Sequence, residues 1–329
     1  MRLTFCITYF CAVIILASCD SLHTTKVLKV GHGLSENHPV HQALLFMNDD
    51  LKKRSNNTLS LKIYPAAQLG GEREALELAQ LGGLDIVKVS AATMENFVPE
   101  FRVFNLPYLF EDKEHRLKVF ENEVGEELMN QTEKYRLKSL CFYEAGSRSF
   151  YTVDKPILSP NDLKGLKIRV MRSRTAVEMM DALGGSATPI SFGELYSALQ
   201  QRVVDGAENN LASFYTNRHY ELCKHFTFDE HSCIPDIVVI STETWNKLNN
   251  QQQQWIEEAA KNSAKYEQKL WDDFEVAAMQ DAKAKGVNFY QTDRKEFMRL
   301  TSSLYSDENL GDLVQWVRKI KAVKDEKKD

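Results

Sequence analysis

Beyond its first 18 residues this sequence has no apolar run long enough to cross a bilayer, which takes about 20 residues. It has no excess of positive charge either. Its 41 Lys and Arg stand against 46 Asp and Glu, a formal charge of −5, so nothing points to a face for nucleic acid. Cysteine is scarce: after Cys6 and Cys11 there are only Cys19, Cys141, Cys223 and Cys233. Cys223 and Cys233 either pair in an oxidising compartment or stay as inert thiols, and their spacing fits no metal site. The sequence also lacks Gly-x-Ser-x-Gly, His-Glu-x-x-His, a phosphate loop and Gly-x-Gly-x-x-Gly. Gly31-His32-Gly33 is too short for a dinucleotide fingerprint. Glu257-Glu258 and Asp272-Asp273 fall in a helical stretch and read as its solvated face. These absences argue against an enzyme and call for no metal or cofactor.

What is present begins at the N-terminus. Arg2 is the only charge before Asp20, and residues 3–17 form an apolar stretch broken by Cys6, Thr8 and Cys11. That stretch has the size of a signal-peptide core, and it ends in Leu16-Ala17-Ser18-Cys19. Small residues ahead of a cysteine resemble the bacterial lipobox. Residues 1–18 are therefore expected to be a signal peptide, Cys19 to carry lipid, and polar residues 19–25 to be a tether. This implies a lipoprotein on the periplasmic side of a bacterial envelope, in contact with the membrane through its anchor.

About 310 residues follow, enough for two ordinary domains. They alternate strand and helix patterns. Residues 27–30, 59–64 and 84–89 read as strands, with helices at 41–53 and 72–81 between them. A second unit has a strand at 166–170 and helices at 175–183 and 191–201, the last with Ser191 and Glu194 at capping-box spacing. Ile237-Val238-Val239-Ile240 does not alternate, as expected for a central parallel strand buried on both faces. The pattern is α/β with largely parallel sheets. Residues 250–285 then read either as one helix of roughly 50 Å, able to tie two domains together, or as two helices broken near Asn262-Ser263.

Five runs make the sequence recognisable: Tyr64-Pro65-Ala66-Ala67-Gln68-Leu69-Gly70, Leu106-Pro107-Tyr108-Leu109-Phe110, residues 162–170, residues 192–200, and Val204-Asp205-Gly206-Ala207-Glu208-Asn209. In this order they resemble the extracytoplasmic solute-binding proteins of tripartite ATP-independent periplasmic (TRAP) transporters, over nearly the whole mature chain. The resemblance implies a two-domain periplasmic-binding-protein fold, type II-like, with a long helix spanning both domains and a ligand cleft between them. Residues 26–145 with 235–274 would form the first domain, and 146–234 with 275–329 the second. It also implies a monomer that closes around its ligand and delivers it to TRAP permease subunits in the membrane. A ligand-sensing domain that feeds a separate receptor is the alternative.

The site residues follow from both sources. Arg169 ends a strand, where α/β crevices hold ligands, and its planar fork suits a carboxylate. The family motif matches at this residue and implies the same role. Arg148 matches a second ligand arginine, and Asn209, with Asn210 beside it, matches a ligand amide. Glu72 and His32 are expected to take hydroxyls. Lys88, Ser90, Arg172, Phe192 and Asp236 fall at further cleft positions. Residues 147–152 and 205–210 look like the branch that binds hexuronates such as D-glucuronate and D-galacturonate; sialic acid, diketogulonate and C4-dicarboxylates are the competitors. The anchor generates its own test. On fractionation of cells making the full-length protein, wild type is expected with the membranes and Cys19→Ala in the soluble periplasm; equal solubility of the two would exclude the anchor.

Overall fold

The computed structural model describes residues 25–323. Cys19 and the signal peptide expected before it lie outside the described residues. Eleven strands are described: β1 (Lys26–Gly31), β2 (Leu59–Tyr64), β3 (Ile86–Ser90), β4 (Leu137–Tyr143), β5 (Arg148–Thr152), β6 (Lys167–Val170), β7 (Ser186–Pro189), β8 (Gly206–Asn209), β9 (His225–Ser232), β10 (Asp236–Ser241) and β11 (Asn288–Gln291). They form two sheets, ordered β2-β1-β3-β10-β4 and β11-β9-β5-β8-β6-β7. Each sheet centres one lobe of a two-domain α/β protein.

The local patterns explain the elements. Helix Pro39–Arg54 starts at a proline in its first turn, is capped by His38, ends in Lys52, Lys53 and Arg54, and buries Val40, Leu44, Met47 and Leu51 on one face. Strand β10 is buried throughout, as its unbroken apolar run implies, but it lies antiparallel to both β3 and β4. Burial on both faces reports the covering of a strand and not its direction, so the parallel expectation fails there and the sheet is mixed. At 191–201 a 3-10 turn, Phe192–Glu194, precedes the α-helix Leu195–Gln200. Ser191 bonds the Glu194 carboxylate and not a backbone N–H, so the expected capping box is absent. Cys141, Cys223 and Cys233 are free thiols.

Four segments pass between the lobes: residues 144–147 between β4 and β5, residues 233–235 between β9 and β10, the helix Asn250–Ala284 ahead of β11, and residues 292–313 from β11 to the C-terminal helix. That helix is unbroken over 35 residues, so it is about 52 Å long. Asn249 opens it with a capping box through Gln252. Ile256, Ala259, Ala260 and Trp271 pack into the core of the first lobe, and Ala282 packs into the core of the second. The C-terminal helix Val314–Ala322 returns to the first lobe: the Ile320 carbonyl meets His115 Nε2 at 3.0 Å, and Lys319 pairs with Glu127. No helix among the described residues is long and apolar enough to cross a membrane.

The crossover at 144–147 is gripped from both sides. The Glu144 carboxylate accepts from Gly146 N at 2.7 Å and from Arg116 Nη2 at 2.9 Å. From the long helix, Glu267 Oε2 accepts the N–H of Glu144 at 3.0 Å. Trp271 and Glu275, one and two turns on, close over Gly146. Burial pushes Glu267 well above the carboxylate range and Glu275 up to about 7, with Glu144 adding to both. Gly146 has φ +59, and a Cβ there would stand 2.8 Å from Glu275 Oε1 and 3.0 Å from Trp271 Nε1. Gly146→Ala is thus expected to lose about 1–3 kcal/mol of stability, seen as a lower urea midpoint with unchanged slope.

Candidate functional site

The C-terminal ends of β3 and β6 point at one another across the gap between the lobes, and loops from both sheets close it into a cavity of about 100 Å³. Its lining includes ten of the eleven expected ligand residues: Glu72, Lys88, Ser90 and Asp236 from the first lobe, and Arg148, Arg169, Arg172, Phe192, Asn209 and Asn210 from the second. These positions are separated by up to 164 residues, from Glu72 to Asp236, so only the fold brings them together.

Arg169 is central. It is 2% exposed, on β6. Its Nε donates to the Ile190 carbonyl at 2.9 Å, and its guanidinium carbon lies 5.7 Å from the centre of the Phe192 ring. Nη1 is buried with no partner. The other two buried arginines, Arg116 and Arg148, each hold a carboxylate, whereas Arg169 has none. Burial lowers Arg169 to about 10, against the pull of Glu208, so it stays charged at neutral pH. A buried cation without a counter-ion is costly unless something else supplies the anion.

Arg148 is differently placed from a simple ligand arginine. Nε and Nη2 grip both oxygens of Glu208, at 2.5 and 2.9 Å; Nη2 also meets the Glu208 carbonyl, and Nη1 donates to Asn209 Oδ1 at 2.7 Å. Four of its five N–H groups are thereby used, in holding Glu208 and Asn209, and one remains beside the cavity that Arg148 lines. Burial would raise Glu208, but Arg148 and His231 hold it down to about 2. Burial would lower His231, yet Asp229 at 2.8 Å, with Glu208, raises it to about 9. Asp229, His231, Glu208 and Arg148 thus form a buried chain of alternating charge beneath the cavity.

The opposite wall is anionic. Lys88 Nζ bridges Asp236 Oδ2 at 2.9 Å and Glu72 Oε1 at 3.4 Å. Glu72 also accepts from Ser90 N and, at 2.6 Å, from Thr93 Oγ1. Two carboxylates on one ammonium leave this wall one negative charge in excess when both are ionised. Burial opposes charge on Asp236 and raises it, against Lys88. Ser90 Oγ caps the short helix Ala91–Met94.

His32 does not reach the cavity. Its Nδ1 accepts from Leu34 N at 3.2 Å and its Nε2 meets His41 Nδ1 at 3.0 Å, so both ring nitrogens are taken; burial, then Lys88, lowers it to about 3. Gly33 lines the cavity in its place. Arg172 lies at the rim, 50% exposed, facing Glu194 at 3.7 Å. Thr93, Met171 and Ser213 line the site without having been singled out in the sequence, because a lone Thr, Met or Ser carries no pattern.

A cleft between two α/β lobes, lined by a buried arginine that no carboxylate among the described residues pairs with, suits the binding of a small acid. Residues 30–309 match the family model described as bacterial extracellular solute-binding protein, family 7, and the chain belongs to this family. The uncharacterized protein YiiZ of Salmonella typhimurium is 38% identical over 285 residues, 86% of this chain and 87% of its own length. A TRAP periplasmic solute-binding protein of Xanthobacter autotrophicus Py2, solved with bound β-D-galacturonate, is 34% identical, covers 90% of this chain and 100% of its own, and superposes with a TM-score of 0.88. One from Pseudomonas putida F1, solved with bound D-glucuronate, is 34% identical, with coverages of 91% and 98% and the same TM-score. The chain is therefore a TRAP-type solute-binding component of transport and not an enzyme. Proteins of this family act in the periplasm with membrane permease subunits.

The buried charge chain predicts a pH dependence. The folded pKa of His231, about 9, exceeds its ordinary 6.5, so its stabilisation is complete below pH 6.5 and is lost as pH rises to 9. His231→Gln is expected to cost up to about 3 kcal/mol more at pH 6 than at pH 9.5, measured by urea denaturation at both.

Proposed function

We propose that this chain captures a hexuronate, D-glucuronate or D-galacturonate, and passes it to a TRAP permease. One observation carries the reading: Arg169 is buried and charged in the cavity with no carboxylate of its own. A ligand carboxylate completes it, with two parallel bonds from Nη1 and Nη2. Asn209 and Asn210 have their carbonyl oxygens occupied, by Arg148 Nη1 and by Ser213 N, so each presents its NH2 group. Glu72 and Asp236 on the facing wall accept from ligand hydroxyls. Ser90, Lys88, Phe192 and Arg172 complete the enclosure, with Arg148 behind Asn209.

This polarity favours a sugar acid over a dicarboxylate. A second carboxylate placed opposite Arg169 would meet Glu72 and Asp236 and be repelled, whereas hydroxyls are welcome there. The uronates bound by the Xanthobacter and Pseudomonas proteins support the same choice. The finer assignments belong to the same reading: a monomer, anchored through lipid on Cys19, with domains at 26–145 plus 235–274 and at 146–234 plus 275–329, the C-terminal helix Val314–Ala322 excepted because it packs on the first, closing on the ligand.

Calorimetry tests it. Wild type is expected to bind D-glucuronate or D-galacturonate and to ignore D-glucose, D-galactose and succinate. Arg169→Ala should lose about 2–5 kcal/mol of binding, and Arg169→Lys much of that, because the fork is lost. Equal binding of an acid and its uncharged parent sugar would overturn the carboxylate reading.

A further inference from the structure

We infer that Ser213 is a ligand-contacting hydroxyl, fixed as a hydrogen-bond donor by His38 from the other lobe. The inference rests on the sugar-acid reading of the cavity for the identity of the ligand, but its geometry stands apart from it. Ser213 is 4% exposed, lines the cavity, and belongs to the helix Leu211–Thr216 that follows β8 in the second lobe. His38 is 1% exposed and caps the helix Pro39–Arg54 of the first lobe.

The proton positions follow from the bonding. His38 Nδ1 accepts the backbone N–H of Val40 at 3.2 Å. A neutral imidazole that accepts at Nδ1 carries its proton on Nε2. His38 Nε2 lies 3.4 Å from Ser213 Oγ, so this N–H donates and the hydroxyl oxygen accepts. The ring is kept neutral by burial, and Lys88, His32 and His41 around it push the same way. Trp271 packs against its edge, with ring centres 5.6 Å apart. With its oxygen engaged by His38, the Ser213 hydroxyl has its own proton to give, and the residue faces the cavity.

The consequence is a wall of donors. Asn209, Asn210 and Ser213 all stand in one five-residue stretch, each with its oxygen already accepting a bond from the protein and its own N–H or O–H left to give. Together with Arg169 they read acceptor oxygens of the ligand, whereas Glu72 and Asp236 across the cavity read hydroxyl protons. The His38–Ser213 bond also joins the two lobes, so it forms only in an arrangement that brings them together. Ligand and bond then favour the same closed arrangement, and each strengthens the other.

The test uses calorimetry with D-glucuronate and D-galacturonate, together with 15N NMR of His38. His38→Asn keeps a helix cap but is too short to reach Ser213, so it separates the two roles of the ring. Ser213→Ala is expected to weaken binding about tenfold, His38→Asn somewhat less, and the double variant no more than Ser213→Ala alone. NMR should show the Nε2–H tautomer in the ligand-free protein. Full affinity in Ser213→Ala, or losses that multiply in the double variant, would overturn the inference while Arg169→Ala still reports on the sugar-acid reading. Should wild type bind neither uronate, that reading falls, and the tautomer decides this one: Nε2–H supports it and Nδ1–H overturns it.

Discussion

The rest of this structure is organised around one uncompensated charge. Arg169 sits in the protein interior, still protonated, with a polar nitrogen that nothing in the chain satisfies. Leaving a charge in that condition costs stability, and on the proposed reading a ligand anion restores the balance. Everything nearby keeps the site from healing itself. Glu208, a buried carboxylate whose charge Arg169 feels, is held by Arg148 and His231. Glu72 and Asp236 are held on the far wall by Lys88.

On the proposed reading, selectivity comes from the same arrangement. Arg169 and the amides of Asn209 and Asn210 stand on the second lobe and the carboxylates of Glu72 and Asp236 on the first, which suits a ligand negative at one end and bearing hydroxyl protons at the other. Such a ligand touches both lobes, and only contacts to both can shift an equilibrium toward closure. The mechanical parts suit that motion. Two short crossovers, one 35-residue helix and the C-terminal return join the lobes, and the ladder of Glu267, Trp271 and Glu275 seats the long helix on the crossover at Gly146.

The sequence alone determined a good deal. The bounds of strand β2 were legible from the alternating sequence Leu59–Tyr64, although its burial does not alternate, since Ser60 is buried along with Leu59 and Leu61. The absence of Pro and Gly made a long helical stretch legible, though whether it was one helix or two was left for the structure to decide, and the α/β class was legible from the order of elements. Arg169 and the amides at 209 and 210 were reached through motif runs that surround them. What tertiary structure alone decided was pairing. Whether β10 runs parallel or antiparallel to β3 depends on how the chain re-enters the first sheet, and its apolar run is the same either way. Arg148 and Arg169 are alike as residue types, and they differ because Glu208 lies within reach of one and not the other. His32, expected from its place after the first strand to reach a ligand hydroxyl, has its ring consumed by His41 and the Leu34 N–H. Ser213 carried no signal at all, since a hydroxyl becomes a directed donor only when His38, 175 residues away, takes its oxygen. Sequence spacing sets which groups a local element presents, but a hydrogen bond has a limited number of partners, and which partner arrives first is settled in three dimensions.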